Sequence, residues 1–507
     1  MAPSPNDLFD QICEHARQIA LLSSASSLLQ WDERTLLPQR GGAYRAEQVA
    51  HLAGVIHSRQ TDPQYGQWLD EMEAHCADLE ATHEHSVTVR ELSRQYRKQT
   101  QLPRRLVEEL SRAAVLGQQN WAAARQDKTY ETFAPHLQTI FDLKREQAEA
   151  VGYEDCAYDA LLDDFEPLER TSNVSRVLSD LRESLVPLVA AIQASSRVPR
   201  RDILTRPFPV PQQREIGRLA AQRIGFDFDR GRLDETDHPF CSTMGPHDCR
   251  ITTRYDEAFF PMAFFGTLHE AGHGIYEQGL PSDQYGLPLG NFVSLGIHES
   301  QSRLWENFVG RSLPFWRFFY PLLQQQIPHT FSSDGLDDFY FSINDVRPSM
   351  IRVEADEVTY NLHIIIRFEL EQALLTEDLS VWELPGAWNE LYEKYLGIQP
   401  ANVAEGVLQD IHWSAALIGY FPTYSLGNLY AAQLFESARE ELGDLDHMFS
   451  QGDFVPLLQW LRTHVHRWGQ TFTTADLVAK VVRTPLSHEP LVRYLVDKLG
   501  PLYQFEM

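Results

Sequence analysis

Two histidines four residues apart, with a glutamate directly after the first, give this sequence its clearest chemical signature. The pattern H-E-x-x-H runs from His269 to His273. If the segment is helical, both imidazoles stand on one face and can reach one zinc ion, while Glu270 is placed to take a proton from a water molecule on that ion. Residues 258–265 are all apolar, so the helix begins in a core, where unpaired imidazoles and carboxylates are costly. The pattern predicts a metal-dependent hydrolase rather than a surface helix with two ordinary histidines.

A zinc ion with two histidines and a water molecule needs one more protein ligand. Two glutamates are candidates: Glu277, four residues after His273, and Glu299, on the next predicted helix. Glu277 would lie a further turn along the same helix axis, where three ligands converge poorly. Glu299 is therefore the preferred ligand, and the alternative for Glu299 is an i,i+4 salt bridge to Arg303.

Five more short motifs accompany H-E-x-x-H in a fixed order along the chain. The six are H-P-F at His238 to Phe240, D-x-R-x-T at Asp248, Arg250 and Thr252, H-E-x-x-H at His269 to His273, H-E-S-Q at His298 to Gln301, I-R-x-x-A-D at Ile351, Arg352, Ala355 and Asp356, and G-x-x-Q-D-x-H-W at Gly406, Gln409, Asp410, His412 and Trp413. With this set, the chain resembles the carboxypeptidase Taq (M32) family of metallocarboxypeptidases, the thermostable carboxypeptidase type, over nearly its whole length. The segment from Trp31 to Pro38 is also similar to the family's N-terminal region, with Leu37 in place of methionine.

The resemblance implies a complete site and an activity. His269, His273 and Glu299 would bind one Zn²⁺ per subunit, which Co²⁺ or Mn²⁺ can replace, and Glu270 would be the general base. The family's activity is release of single amino acids from peptides with a free C-terminus, with broad specificity, by attack of a zinc-bound water. The resemblance also implies a homodimer and a zincin-like helical fold divided by a long groove.

The oxyanion that forms during such a reaction needs a hydrogen-bond donor besides the metal. His412 and Tyr420 are the candidates, with the nearby phenol of Tyr424 as a third. Related helical zinc peptidases use a histidine and a tyrosine in the equivalent downstream segment. Each of these side chains could instead be a hydrogen-bonded core residue.

An enzyme that cuts at the C-terminus must also hold a free carboxylate, which a planar guanidinium fits well. Arg352, predicted on a helix, is the first choice and Arg250 on a predicted strand is the second. Asp356, one turn after Arg352, would orient it, or the two would form a purely structural ion pair. Three other motif residues are expected to shape the far end of the substrate groove or to hydrogen-bond to ligands: His238, Asp248 and His298.

Most of the chain has the apolar periodicity of helices. Helices are predicted at residues 5–30 and 172–194, and three or four more between residues 45 and 154, with Pro103 opening one and Gly152 closing another. Residues 195–211 are rich in proline and predict a loop. From residue 314 onward the chain is again mostly helical, notably over residues 348–374 and 455–468.

The one predicted strand covers residues 250–255, directly before the motif helix, where β-branched and aromatic residues alternate with polar ones. An exposed edge of this strand could pair with an extended peptide. The predicted fold class is therefore all-α with a very small sheet next to the active site. We expect one peptidase domain over residues 1–507, in which residues 1–195 form one wall of the groove and residues 212–507 carry the metal site.

Composition limits which partners the protein is expected to bind and which cellular compartment it is expected to occupy. A formal charge of −27 disfavours binding to nucleic acid or anionic membranes, and no apolar run reaches the roughly 20 residues of a membrane helix. Five scattered cysteines without C-x-x-C spacing indicate a reducing environment. The first ten residues contain no basic residue, so a cytoplasmic location is predicted.

Two other functions are compatible with parts of the pattern. A related helical zinc oligoendopeptidase or dipeptidyl carboxypeptidase would share the two histidines and the downstream glutamate, but the signatures at Asp248 to Thr252 and at Arg352 to Asp356 are not expected there. A non-catalytic peptide-binding protein would have little use for Glu270.

Overall fold

The computed structural model describes residues 4–331 and 334–505. In that part of the chain helices dominate and one three-stranded sheet is present, so the predicted fold class is confirmed. None of the described helices is both long enough and apolar enough to cross a membrane. The helices are α1 Pro5–Thr35, α2 Gly42–Gln60, α3 Pro63–Cys76, α4 Glu84–Gln101, α5 Arg104–Asp127, α6 Ala134–Val151, α7 Ala157–Leu162, α8 Thr171–Gln193, α9 Val210–Ile224, α10 Phe260–Gly279, α11 Leu295–Arg303, α12 Leu313–Gln326, α13 Pro328–Phe331, α14 Leu336–Ile343, α15 Thr359–Leu375, α16 Leu384–Leu396, α17 Pro422–Leu442, α18 Leu445–Ser450, α19 Val455–His464, α20 Thr474–Val482 and α21 Glu489–Tyr503.

Between residues 42 and 151 the chain forms five helices, α2 to α6, where three or four were predicted. One of the breaks falls between α2 and α3, where the Asp62 carboxylate accepts the Gln64 N–H and Pro63 opens the new helix. The predicted boundaries at Pro103 and Gly152 are confirmed, and Gly152 ends α6 with a φ of 83°. The predicted loop at residues 195–211 is irregular apart from one 3₁₀ turn, Arg201–Ile203, and α9 begins at Val210.

The sheet contains three strands, two more than predicted: β1 Gly231–Glu235, β2 Cys241–Gly245 and β3 Asp248–Thr253. The predicted strand corresponds to β3, which lies in the middle, parallel to β1 and antiparallel to β2. Both edges of β3 are therefore paired, and the expectation that this strand offers a free edge to a peptide is wrong. A tight connection through His247, with a φ of 67°, folds β2 back onto β3.

The predicted helix at residues 348–374 begins eleven residues late, at Thr359. Asp356 explains the delay, because its carboxylate accepts the backbone N–H groups of Val358 at 2.9 Å and Thr359 at 3.0 Å. An aspartate in this position caps a helix start and competes with helical backbone before it. Arg352 consequently lies on a short 3₁₀ turn, Arg352–Glu354, and not on a helix.

Among the described residues, buried apolar side chains form two clusters. The smaller joins α1, α3 and α4 through residues such as Leu8, Ile12, Leu69 and Leu92. The larger begins at Ala124 and continues to the C-terminal helix. A cavity of about 900 Å³ lies between these two clusters. It is lined on one side by α1 and α4 and on the other by β2 and residues 277–298.

Close helix packing positions the candidate site. α10 is anchored by stacked aromatic rings, among them Phe260 and Phe264. α11 crosses α10 near Gly272, where an added Cβ would lie 2.6 Å from the Gln301 carbonyl oxygen. α17 approaches α11 at Gly427, where a Cβ would lie 2.4 Å from the Glu299 Cγ. Only glycine permits these approaches, so the two residues set the spacing of α10, α11 and α17.

Candidate active site

Three predicted side chains meet between α10 and α11. The Glu299 Oε2 lies 3.4 Å from the His273 Nε2 and 3.7 Å from the His269 Nε2, and the ligand atoms of all three residues lie within 4.8 Å of one another. Two donors at about 2.1 Å from a tetrahedral zinc ion lie about 3.4 Å apart, so this geometry fits one small divalent ion. We refer to His269, His273 and Glu299 as the metal triad.

The other ring nitrogen of each histidine is already engaged. The His269 Nδ1 lies 2.9 Å from the Glu306 carboxylate, and the His273 Nδ1 lies 3.0 Å from the His298 carbonyl oxygen. Both partners are acceptors, which favours a proton on Nδ1 of each neutral ring and turns Nε2 towards the centre of the triad. Burial and the neighbouring His298 lower the pKa of His273 to about 3, which favours this neutral form.

Glu299 forms the salt bridge to Arg303 that the sequence suggested and also faces the two histidines. Its Oε1 accepts a hydrogen bond from the Arg303 Nε at 2.7 Å, and its Oε2 faces the histidines. Arg303 also donates to Glu306 at 3.2 Å, so one guanidinium holds both the triad carboxylate and the partner of His269. Burial alone would raise the pKa of Glu299, but Arg303 and His269 hold it well below its usual range.

Glu277 does not join the triad. Its carboxylate accepts from the Thr243 hydroxyl at 3.0 Å and lies 2.9 Å from the His298 Nε2. The His298 ring in turn stacks on the His273 ring, with centroids 4.5 Å apart. His298 therefore supports a triad histidine through its carbonyl and its ring, as the sequence suggested in general terms.

Glu270 is buried between α10 and its neighbours, with 7% of its surface exposed. Burial raises its pKa to about 7, while the adjacent His269 works in the opposite direction. A carboxyl group with this pKa can both accept and return a proton near neutrality.

His412, Tyr420 and Tyr424 also come together. The His412 Nε2 lies 3.2 Å from the Tyr424 hydroxyl, and the Tyr420 ring lies 5.4 Å from the His412 ring and 5.3 Å from the Tyr424 ring. Burial and the Arg352 charge lower the pKa of His412 to about 4, and burial raises that of Tyr420 to about 12. All three are therefore neutral near pH 7.

The loop that carries these residues is held by a carboxylate that sequence reasoning missed. Glu371 on α15 accepts from the Trp413 Nε1 at 2.8 Å, from the Gly419 N–H at 3.1 Å and from the Tyr158 hydroxyl. The sequence did not single out Glu371, because other polar residues stand close to it on the same helix, among them Arg367 and Glu369.

Arg352 is buried, but its partner differs from the predicted one. Its Nε and Nη2 donate to the Asp410 Oδ1 at 2.9 and 2.7 Å, and its Nη1 donates to the Tyr360 hydroxyl at 3.0 Å. The expected orientation by Asp356 is wrong, because the Asp356 carboxylate is taken up by backbone N–H groups at the start of α15, including that of Thr359. Asp410 belongs to the G-x-x-Q-D-x-H-W motif. Because it lies far from Arg352 in the sequence, the ion pair between the two residues was not predicted.

The other candidate arginine lies against the N-terminal helix. Arg250 forms a two-pronged ion pair with Asp248 and stacks on Trp31 of α1, with 4.4 Å between the guanidinium carbon and the ring centroid. Thr252 binds the backbone of Phe240. His238, just before it, is exposed. These motif residues join α1, β3 and the segment before β2, and in the described part of the chain their side chains do not contact the metal triad.

The comparisons with known proteins agree along the whole chain. The family model described as carboxypeptidase Taq (M32) metallopeptidase matches residues 11–499. Thermostable carboxypeptidase 1 of Thermus thermophilus is 44% identical, with 99% of this chain and 100% of that protein covered. Carboxypeptidase 1 of Bacillus subtilis is 39% identical, with 96% and 97% covered. The crystal structure of the M32 carboxypeptidase from Deinococcus radiodurans is 37% identical and has a TM-score of 0.95, covering 98% of this chain and 100% of that one.

Proposed function

This chain belongs to the carboxypeptidase Taq (M32) metallopeptidase family and is a metallocarboxypeptidase, and we propose that it removes single residues from peptide C-termini with broad specificity. The observation that carries the proposed mechanism is the convergence of the metal triad beside Glu270. Membership of this family argues against the endopeptidase and the non-catalytic alternatives.

We propose that His269, His273 and Glu299 bind the divalent ion, and that the ion is Zn²⁺. Two imidazole nitrogens and one carboxylate oxygen are a donor set typical of catalytic zinc, and one that Co²⁺ or Mn²⁺ also accepts. When bound, the ion supplies Lewis acidity, which lowers the pKa of water and polarises the scissile carbonyl. Its positive charge would also lower the pKa of Glu270 from about 7.

Glu270 is proposed as the general base. It would take a proton from the attacking water and pass it to the leaving amine, as its burial beside the triad favours. His412 and Tyr420 are proposed to donate hydrogen bonds to the developing oxyanion, with Tyr424 orienting His412 across the 3.2 Å contact.

Arg352 is proposed to bind the terminal carboxylate of the substrate. The protein uses its Nε, one N–H of Nη1 and one N–H of Nη2, which leaves one donor on each terminal nitrogen for a ligand. Arg250 is the weaker candidate, since Asp248 and the Trp31 ring already occupy its guanidinium. The roles of His238 and Asp248 in shaping the substrate groove remain proposals of the same kind.

The experiment that tests the mechanism combines one variant with one pair of substrates. Glu270→Gln should lower kcat by about 10²–10⁴-fold while metal content, measured by elemental analysis, stays at one ion per subunit. Wild-type protein should release residues stepwise from an N-terminally blocked peptide with a free C-terminus and leave its amidated counterpart intact. Unchanged turnover by the variant, or cleavage of the amidated peptide at the same rate, would defeat the proposal.

A homodimer in the cytoplasm is proposed from the family resemblance and the sequence composition. Light scattering of the purified protein should give twice the chain mass of 58.2 kDa, and a monomer at all concentrations would contradict it.

A further inference from the structure

Tyr360, the second residue of α15, lies between two arginines that serve opposite ends of the proposed site. The guanidinium carbon of Arg303 lies 4.5 Å from the centroid of the phenol ring, and the Nη1 of Arg352 donates to the phenol oxygen at 3.0 Å. Only 7% of the Tyr360 surface is exposed. One buried side chain thus contacts both guanidinium groups, one with its face and one with its hydroxyl.

The first arginine belongs to the metal end. Arg303 donates to Glu299 at 2.7 Å and to Glu306 at 3.2 Å, and so orients one triad residue directly and His269 through Glu306. A guanidinium packed on an aromatic face gains a cation–π attraction and loses freedom to swing away from its carboxylates. The Tyr360 ring therefore helps to hold the arginine that holds the triad.

The second arginine belongs to the proposed carboxylate end. Arg352 sits on the 3₁₀ turn Arg352–Glu354, and its carboxylate partner Asp410 lies on a different loop. Tyr360 offers it a contact on a regular helix, whose first turn is fixed by the bonds of Asp356 to Thr359. Without the phenol oxygen, the guanidinium of Arg352 would keep hydrogen bonds to Asp410 alone.

Resting on the proposed role of Arg352, we propose that Tyr360 is a positioning residue that fixes the carboxylate-binding arginine relative to the metal triad. A carboxypeptidase must hold the terminal carboxylate and the scissile carbonyl at one separation, because only the amide nitrogen and the Cα of the last substrate residue lie between these two groups. Tyr360 contacts the side chain that supports each of these two subsites, and it does so from one rigid element.

The test separates the hydroxyl of Tyr360 from its ring. Tyr360→Phe keeps the ring over Arg303 and removes the acceptor for Arg352, so KM for a blocked dipeptide with a free carboxylate should rise about tenfold or more, while metal affinity in a chelator competition stays unchanged. Tyr360→Leu removes both contacts, so metal affinity should also fall about tenfold. Tyr130→Phe, which removes another buried phenol hydroxyl, 2.6 Å from the Val381 carbonyl oxygen, should change neither quantity.

A double variant tests the positioning role of Tyr360 separately from the proposed role of Arg352 in binding the substrate carboxylate. Arg352→Gln should itself raise KM, and adding Tyr360→Phe should then raise it no further, because the hydroxyl acts through the arginine. If Arg352→Gln raises KM and both Tyr360 variants leave it within twofold of wild type, the positioning role is wrong and the role of Arg352 stands. If Arg352→Gln leaves KM unchanged, the proposed carboxylate site is wrong and the inference falls with it.

Discussion

At the scale of single residues, the partners of the two triad histidines determine what the imidazoles can do. Glu306 and the His298 carbonyl hydrogen-bond to Nδ1 of the two rings and leave Nε2 facing the centre of the triad. The histidines themselves were predictable, because helical spacing alone places them on one face. The contact of Glu306 with His269 was not predictable, because the two residues lie 37 positions apart in the sequence. Glu306 lies on a π-helical turn, Leu304–Val309, which no sequence pattern predicted.

Glu306 should therefore matter for metal binding although it is not a proposed ligand. Glu306→Gln weakens the acceptor for the His269 Nδ1–H and removes a charge that Arg303 balances, so metal affinity should fall about 10- to 100-fold. Titration with a coloured chelator measures this loss. Glu390→Gln, on an exposed face of α16, is the matched control, and an affinity equal to wild type in both variants would show that the contact has no such role.

The buried carboxyl group of Glu166 should make the stability of the folded protein depend on pH. Burial raises the pKa of Glu166 to about 8, although the Ser294 side chain and the Gly296 N–H, at the start of α11, hydrogen-bond to its carboxylate. The folded state then keeps a proton that the unfolded state loses near pH 4.5, so this contribution to stability is complete below about pH 4.5 and is lost as pH rises through about 8.

Melting temperatures at pH 5.5 and pH 8 test this effect. Glu166→Gln keeps an acceptor for Gly296 but cannot ionise, so its melting temperature should fall less than that of wild type between the two pH values. The exposed Glu390, replaced by Gln, should behave as wild type does. Equal pH dependence in all three proteins would contradict the assignment.

At the scale of elements, apolar periodicity predicted most helices. The prediction failed where polar side chains hydrogen-bond to the backbone and change where a helix begins. The start of α15 moved to Thr359 because Asp356 binds the backbone there, an interaction that an apolar pattern does not encode. The sheet was underestimated for a similar reason. β1 and β2 are five-residue strands, stable mainly through their pairing with β3, and short strands of this kind carry little signal of their own.

The approach of α17 to α11 should be as important as the ligands themselves. In Gly427→Ala, the new Cβ would meet the Glu299 Cγ at 2.4 Å, so the side chain or the helix must shift and metal affinity should fall at least tenfold. Gly54→Ala, within α2 and with nothing within 4 Å of its Cβ, should leave metal affinity unchanged and stabilise the protein by up to about 1 kcal/mol. Isothermal titration of apoprotein with Zn²⁺ measures both, and full affinity in Gly427→Ala would show that α17 does not fix Glu299.

At the scale of the whole molecule, the cavity lies between the two hydrophobic clusters. The sequence predicted a groove through family resemblance only, because no local pattern shows which helices face each other across a gap. The motif residues around Arg250 acquire a clear structural purpose in this setting. They join α1, which belongs to the smaller cluster, to the sheet beside α10.

Trp31 should be important for this joint, by which we mean the contact between α1 and the sheet. Its ring, 3% exposed, packs under Arg250 at 4.4 Å and Arg232 at 5.0 Å, so Trp31→Ala should destabilise the protein by about 3–5 kcal/mol. Hydrogen exchange should accelerate in α1 and the sheet while metal stoichiometry stays at one. Trp382→Ala, at a tryptophan that is 58% exposed, should change neither, and equal acceleration in α10 and α11 would show that Trp31 is not specific to the joint.

The convergence of two imidazoles and one carboxylate on a single ion is tested most directly by anomalous diffraction at the zinc edge from crystals of the metal-loaded protein. We predict one strong peak per chain, about 2.0–2.2 Å from the Nε2 atoms of His269 and His273 and from a carboxylate oxygen of Glu299. A peak bound by Glu277 instead of Glu299, or one that leaves either imidazole uncoordinated, would contradict the account.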